Sequence, residues 1–232
     1  HRFNLMTDSN QSPTPKRLVI LVSGGGSNLQ SLIDGCAGDK INATVSAVIS
    51  NNPNAGGLER AAKAGIPNLA IDHRAFDSRE TFDQALSELI DSFSPDLVIL
   101  AGFMRILTAE FVDHYLGRMM NIHPSLLPAY PGLNTHQRAI KAGDKKAGAT
   151  VHFVTPELDG GPSIIQAQVN IDATDNKDTL AAKVLTYEHK IYPEAVNWFC
   201  NNRLVMQNNH VRLDKKPVSE SGIIYNLIEP TN

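Results

Sequence analysis

Two apolar runs, RLVILVS (17–23) and PDLVILAGF (95–103), show none of the polar alternation of a half-exposed strand. A strand of this kind is buried on both faces, as in a parallel sheet covered by helices. The stretches between and around them agree. SNLQSLIDGC (27–36) reads as a helix, ATVSAVIS (43–50) as a strand, AGGLERAAKAGI (55–66) as helical at its centre and PNLAID (67–72) as a short strand. DSRETFDQALSELIDSF (77–93) is strongly amphipathic, with Ser78 and Thr81, and Asp77 and Glu80, spaced as capping pairs. Strands and helices alternate at least three times. That pattern predicts an α/β, Rossmann-like fold, a mostly parallel central sheet with helices on both faces.

The later residues depart from it. ATVHFVT (149–155) and SIIQAQVNI (163–171) alternate more clearly, with LDGGP (158–162) at the turn between them. An antiparallel pair added to the parallel core is expected there. A long helix is expected over about 177–201, where Pro193 should kink it or leave one hydrogen bond unmade. Short strand-like pieces come after Arg203. One domain is expected over 17–213, between a flexible leader, 1–16, and a tail, 214–232.

Bulk properties narrow the function classes. A chain of 232 residues can bury a full core, and its net charge of −3 supplies no basic field for nucleic acid. The longest apolar stretch, LVILAGFM (97–104), falls well short of the ~20 residues of a membrane helix. Cys36 and Cys200 are far apart and in no C-x-x-C pair, so neither zinc nor a disulfide framework is indicated. The opening HRFNLMTDSNQSPTPK is polar and shows no secretory signal. A cytoplasmic protein is expected, with Met6 as the native start.

SGGGSN (23–28) sits where a strand turns into a helix, and free amide N–H groups at such a junction favour an anion. The dinucleotide fingerprint G-x-G-x-x-G would need a glycine at position 29, which is Leu29. The second strand ends in Ser50-Asn51-Asn52 rather than in an acidic ribose ligand. A Walker loop would need G-K-[ST], which is absent. What remains is a site for one phosphate group, or a tight glycine turn with no ligand.

NIHPSLLP (121–128) places Asn121 and His123 two positions apart and hems them with Pro124 and Pro128, which reads as a rigid loop rather than a strand interior. An amide can donate to a developing oxyanion, and an imidazole can move a proton near neutral pH. A carboxylate would orient that imidazole, and Asp159 in the LDGG turn is the candidate. Taken singly, a structural histidine and a turn-forming asparagine are the commoner outcomes.

SGGGSNLQ (23–30), FDSRE (76–80), LAGFMRIL (100–107), NIHPSLLPAYPG (121–132), VHFVTPELDGGP (151–162) and YEHKIYP (187–193) stand in the order and spacing of one family. From Arg17 to about Leu213 the chain resembles the folate-dependent phosphoribosylglycinamide formyltransferases. The resemblance implies a formyltransferase fold and formyl transfer from 10-formyltetrahydrofolate to glycinamide ribonucleotide in purine synthesis. It implies no metal, no nucleic-acid or membrane partner, and a monomer or homodimer. Asn121, His123 and Asp159 match the catalytic trio. Gly26, Ser27 and Asn28 match the phosphate loop, and Leu185, Thr186, Tyr187 and Glu188 the segment meeting the ribonucleotide, with Glu188 at its amine end. Arg79, Met104, Arg105, Ile106, Leu107, Asn121, Thr155, Pro156, Glu157, Leu158 and Asp159 match the formyl-folate site. Each has a plainer alternative. Arg79 could be a solvated helix face, Glu188 could pair with Lys183 or Lys190, and Met104, Ile106 and Leu107 could be ordinary core. Gly25 departs from the family pattern, in which close bacterial relatives often carry Asn. A formyl-folate hydrolase and an inert nucleotide-binding module are the competing readings. A methionyl-tRNA formyltransferase would need a basic RNA-binding extension that this acidic chain lacks.

Overall fold

The computed structural model describes residues 13–225, so most of the expected leader and the end of the tail lie outside the described residues. Strands β1 (Lys16–Val22), β2 (Ala43–Ser50), β3 (Asn68–Ala70), β4 (Leu97–Leu100) and β5 (Met119–His123) run parallel. Two more, β6 (Lys146–Phe153) and β7 (Ser163–Asn170), continue the sheet antiparallel. The expected antiparallel addition is therefore present. After the last helix, β8 (Leu204–Gln207), β9 (His210–Leu213) and β10 (Lys216–Pro217) form a small separate sheet. β11 (Ile223–Ile224) then returns to pair with β7, giving the order β11-β7-β6-β5-β4-β1-β2-β3. Residues 214–225 thus contribute to both sheets.

Among the described residues six α-helices lie between the strands: α1 (Ser27–Ala37), α2 (Gly56–Lys63), α3 (Arg79–Asp91), α4 (Ala109–His114), α5 (Thr135–Lys141) and α6 (Lys177–Cys200). Among the described residues, no helix is long and apolar enough to cross a membrane. Ser78 and Thr81 close the capping box of α3, as their spacing predicts. α4 and α5 were not expected, because six or seven residues make too few turns to show a helical period. α6 is continuous through Pro193, whose missing N–H leaves the carbonyl of His189 without its helical donor.

The two-residue period of the strands sorts the core into two layers. Leu18, Ile20, Val22, Met120 and Val151 face Leu29 and Leu32 of α1 and Val184, Ile191 and Tyr192 of α6. Val19, Leu21, Val98, Leu100 and Met119 face Phe82, Leu86 and Ile90 of α3 and Phe111 and Val112 of α4. Asn121 and His123 continue the period of Met119, so they lie on the α3/α4 side of the sheet. This corrects the expectation of a loop. The strand runs through His123, and the break comes only at Pro124. A proline holds the preceding residue extended, so Pro124 is compatible with a strand that ends at His123.

One hydroxyl ties α6 to the strand ends. Tyr192 Oη, fully buried, donates to the carbonyls of Leu100 (2.7 Å) and Met120 (3.2 Å). Removing it leaves buried acceptors without that donor. Tyr192→Phe is therefore expected to lose about 1–3 kcal/mol in urea unfolding with an unchanged m-value. A variant as stable as the parent would show that this hydroxyl does not hold α6 to the strands.

Candidate active site

The antiparallel register between β5 and β6 sets Asn121 opposite His152 and His123 opposite Thr150. Directly opposed residues share a face, so the four side chains form one polar patch where the apolar face under α3 and α4 ends. Asn121 Nδ2 lies 3.5 Å from His152 Nε2. His123 Nε2 lies 2.8 Å from the carbonyl oxygen of Tyr130, which can only accept, so Nε2 carries the hydrogen.

Asp159 comes from the turn between β6 and β7. Phe153, the last residue of β6, pairs with Met120, three residues before His123. The turn must therefore rise over the sheet for the carboxylate to reach the imidazole. Oδ1 of Asp159 lies 3.6 Å from His123 Nδ1, and Oδ2 accepts from the amide of Gly132 at 2.9 Å. Both side chains are buried. The expected trio thus converges, with Asp159 and Tyr130 on opposite nitrogens of His123.

The glycine loop has the expected strand–turn–helix form, with Gly26 at φ 76° as the residue before α1. Its peptides are turned from outside. The Gly24 carbonyl accepts from Gly57 N (2.9 Å), and the Gly25 carbonyl accepts from the Arg60 guanidinium. In a trans peptide the N–H points opposite to the C=O, so the Gly25 and Gly26 amides face away from α2. With the unpaired first-turn amides of α1 they supply N–H groups of the kind that favour an anion. A side chain at Gly25 would meet nothing within 4 Å, so this glycine is not sterically required.

Glu188 is only 7% exposed and accepts from Asn28 Nδ2 at 3.1 Å; it pairs with neither Lys183 nor Lys190. Burial raises its pKa, and the Asn28 hydrogen bond opposes that in part. The other members of its segment diverge, because four successive helical residues cannot share a face. Leu185 is half-buried and Thr186 is exposed, its hydroxyl donating to the Ala182 carbonyl, while Tyr187 packs against Tyr225 and under Lys190.

Met104, Ile106 and Leu158 are 69%, 59% and 61% exposed, which rules out the plain core alternative for the first two. Leu107, by contrast, packs on the α3/α4 core. Arg105 stacks its guanidinium 4.3 Å above the Phe82 ring. Arg79 is exposed at the start of α3, Thr155 is half-buried, and Pro156 and Glu157 are exposed. Ser23 joins the 104–107 segment to the glycine loop: its Oγ accepts from Met104 N (2.8 Å) and donates to Asn51 Oδ1 (2.6 Å). Sequence reasoning missed Tyr130, Gly132, Arg60 and His152. The first two act through backbone atoms, which carry no residue signature. Arg60 lies inside a helix with no visible tie to the loop. His152 could have been found from the alternation of 149–155, had the pairing register been known.

Residues 16–196 match the family described as formyl transferase. The chain is 53% identical over 205 residues to the phosphoribosylglycinamide formyltransferase of Escherichia coli, covering 88% of this chain and 97% of that one. The phosphoribosylglycinamide formyltransferase structure from Coxiella burnetii superposes with a TM-score of 0.87 at 49% identity, over 90% of this chain and 99% of that one. A formyltetrahydrofolate deformylase structure from Pseudomonas putida shares the fold at 28% identity and a TM-score of 0.77, over 88% of this chain and 72% of that one.

Glu188 yields a stability prediction. An unfolded chain ionises it near its ordinary value of 4.5, whereas the folded protein resists until a higher pH. Its neutral form suits the fold, so the ligand-free protein loses stability as pH rises from 4.5 through the raised value. Glu188→Gln removes this loss. The melting temperature of the variant relative to the parent should climb as pH rises from 4.5 into the neutral range. A difference that stays flat across that range would contradict the buried carboxyl.

Proposed function

The chain belongs to the formyl transferase family, and we propose that it transfers the formyl group of 10-formyltetrahydrofolate to the primary amine of 5′-phosphoribosylglycinamide in purine biosynthesis. One observation supports this most. The Asn121–His123–Asp159 cluster is accompanied by an anion-binding loop and by an exposed apolar segment joined to that loop through Ser23. The loop suits a phosphate, and the apolar side chains suit the flat ring system of a folate.

In this reading the amine attacks the formyl carbon and negative charge grows on the formyl oxygen. The Asn121 carboxamide donates to that oxygen, and His123 in its protonated form stabilises it through Nδ1–H. The proton lost by the amine moves toward N10 of the folate through His123 Nδ1, or through a water held by Asp159. Nε2 is committed to the Tyr130 carbonyl. The phosphate loop and the Asn28–Glu188 pair position the acceptor rather than react with it.

Hydrolysis of formyl-folate is the second reading, and the deformylase likeness favours it at the level of fold. The built loop and the buried Glu188 argue for a second organic substrate, because water as acceptor needs neither. Folate release from 10-formyltetrahydrofolate should therefore require glycinamide ribonucleotide. Release at the same rate without it would establish the hydrolase.

Two variants test the assigned roles. His123→Asn should lose roughly 10²–10⁴-fold in kcat with little change in ligand affinity. Gly26→Val puts a branched side chain at φ 76°, with its Cβ 3.2 Å from Gly57 Cα. Calorimetry should show ribonucleotide affinity falling about tenfold or more while folate affinity holds. Equal losses for both ligands would remove the phosphate from this loop.

A further inference from the structure

We propose that His152 is a positioning residue that fixes the orientation of the Asn121 carboxamide, holding its NH₂ end on the side where His123 and Asp159 meet. The inference rests on the role assigned to Asn121 above. Three observations carry it. The two residues are directly opposed across β5 and β6, so their side chains are neighbours by register. His152 Nδ1 lies 2.9 Å from the carbonyl oxygen of Phe153, which can only accept; the ring hydrogen therefore sits on Nδ1. His152 is only 2% exposed, and burial drives its pKa down, so the ring stays neutral.

A neutral ring protonated on Nδ1 presents a lone pair at Nε2. That lone pair, 3.5 Å from Asn121 Nδ2, attracts an amide hydrogen and repels an amide oxygen. Of the two orientations open to the carboxamide, one is thereby selected. One Nδ2 hydrogen is spent on His152, and the other remains for the formyl oxygen. Asn121 and His123 project from the same face of β5, and Asp159 lies against His123, so the oriented carboxamide stands beside the trio. Donors aimed in advance at developing charge are what such a site requires.

The test is a double-mutant cycle in the formyl-transfer assay at saturating substrates. His152→Leu should lower kcat about tenfold with both KM values within about threefold, because orientation is lost while binding is kept. His152→Gln, whose amide oxygen can accept from Asn121, should recover most of that loss. In the Asn121→Ala background, His152→Leu should change kcat by less than about twofold, because nothing remains to orient. Equal losses in both backgrounds, or a parental kcat in His152→Leu, would overturn the proposal. Should His152→Leu fail to fold, ¹⁵N NMR of the parent decides. An Nδ1-protonated neutral His152 at pH 7 is expected, and an Nε2-protonated or cationic ring would overturn the assignment. A parent without formyl transfer would instead defeat the functional reading, and the NMR result stands apart from it.

Discussion

The pairing register of β5 with β6 is the constraint on which the rest of the site depends. A slip of one residue would turn every side chain of one strand to the other face. Asn121 and His123 would then oppose Val151 and Ala149 rather than His152 and Thr150. The register is anchored by more than ladder hydrogen bonds. Thr150 Oγ1 donates to the Ser125 carbonyl and accepts from Leu127 N, and Gln166 donates both to Thr150 and to the Leu127 carbonyl. These groups are buried and mutually satisfied, so a shifted pairing would strand several of them at once. The same network fixes the start of the proline-rich loop, and so the path by which Tyr130 returns to His123.

That loop and the β6–β7 turn hold each other. Gly132 N donates to Asp159, whose own backbone is left-handed at φ 51°. A side chain at Gly161 would collide with the Phe153 carbonyl, so the turn can rise over the sheet only with a glycine there. Tyr130, also left-handed, is secured by its hydroxyl on Asp144 and by Arg138, which stacks on its ring and donates to the carbonyls of Pro131 and Leu133. Asp159 acts at the end of this chain of contacts. Its position is a property of the loop as much as of its own turn.

Much of this was legible in the sequence, for identifiable reasons. The parallel core comes from apolar runs that no half-exposed strand would carry, and α3 from its capping box. The strand–turn–helix form of the glycine loop was readable because the glycines separate an apolar run from a helical one. Asn121 and His123 were singled out by their chemistry, yet their setting was misread: the prolines stiffen the chain after His123 and leave the strand before it intact. The contribution of 185–188 was also blurred. Reading four neighbours as one segment ignores the helical period, which sends Glu188 to Asn28 and Tyr187 to Tyr225. Register, backbone carbonyls and the return of β11 to the main sheet depend on residues far apart in the chain. No local pattern encodes them.

Unpartnered buried polar atoms give a second view of the molecule, independent of motifs. Buried donors and acceptors without a partner are rare, since each leaves an uncompensated desolvation cost. Among the described residues five side-chain atoms are in this state: Asn28 Oδ1, Asp83 Oδ1, Arg105 Nε, His136 Nδ1 and His189 Nε2. Several border segments already described. Asn28 holds Glu188, and His189 is next to Glu188 in the chain and feels the charge of Arg60, which grips the glycine loop. Arg105 lies in the exposed 104–107 segment, and Asp83 holds the amide of Thr108 just beyond it. His136 lies close enough to His123 for the two rings to interact electrostatically. Where such an atom borders a binding site, a ligand's own donors and acceptors would relieve it. Glu188 belongs beside them, buried against an amide whose oxygen is itself unpaired.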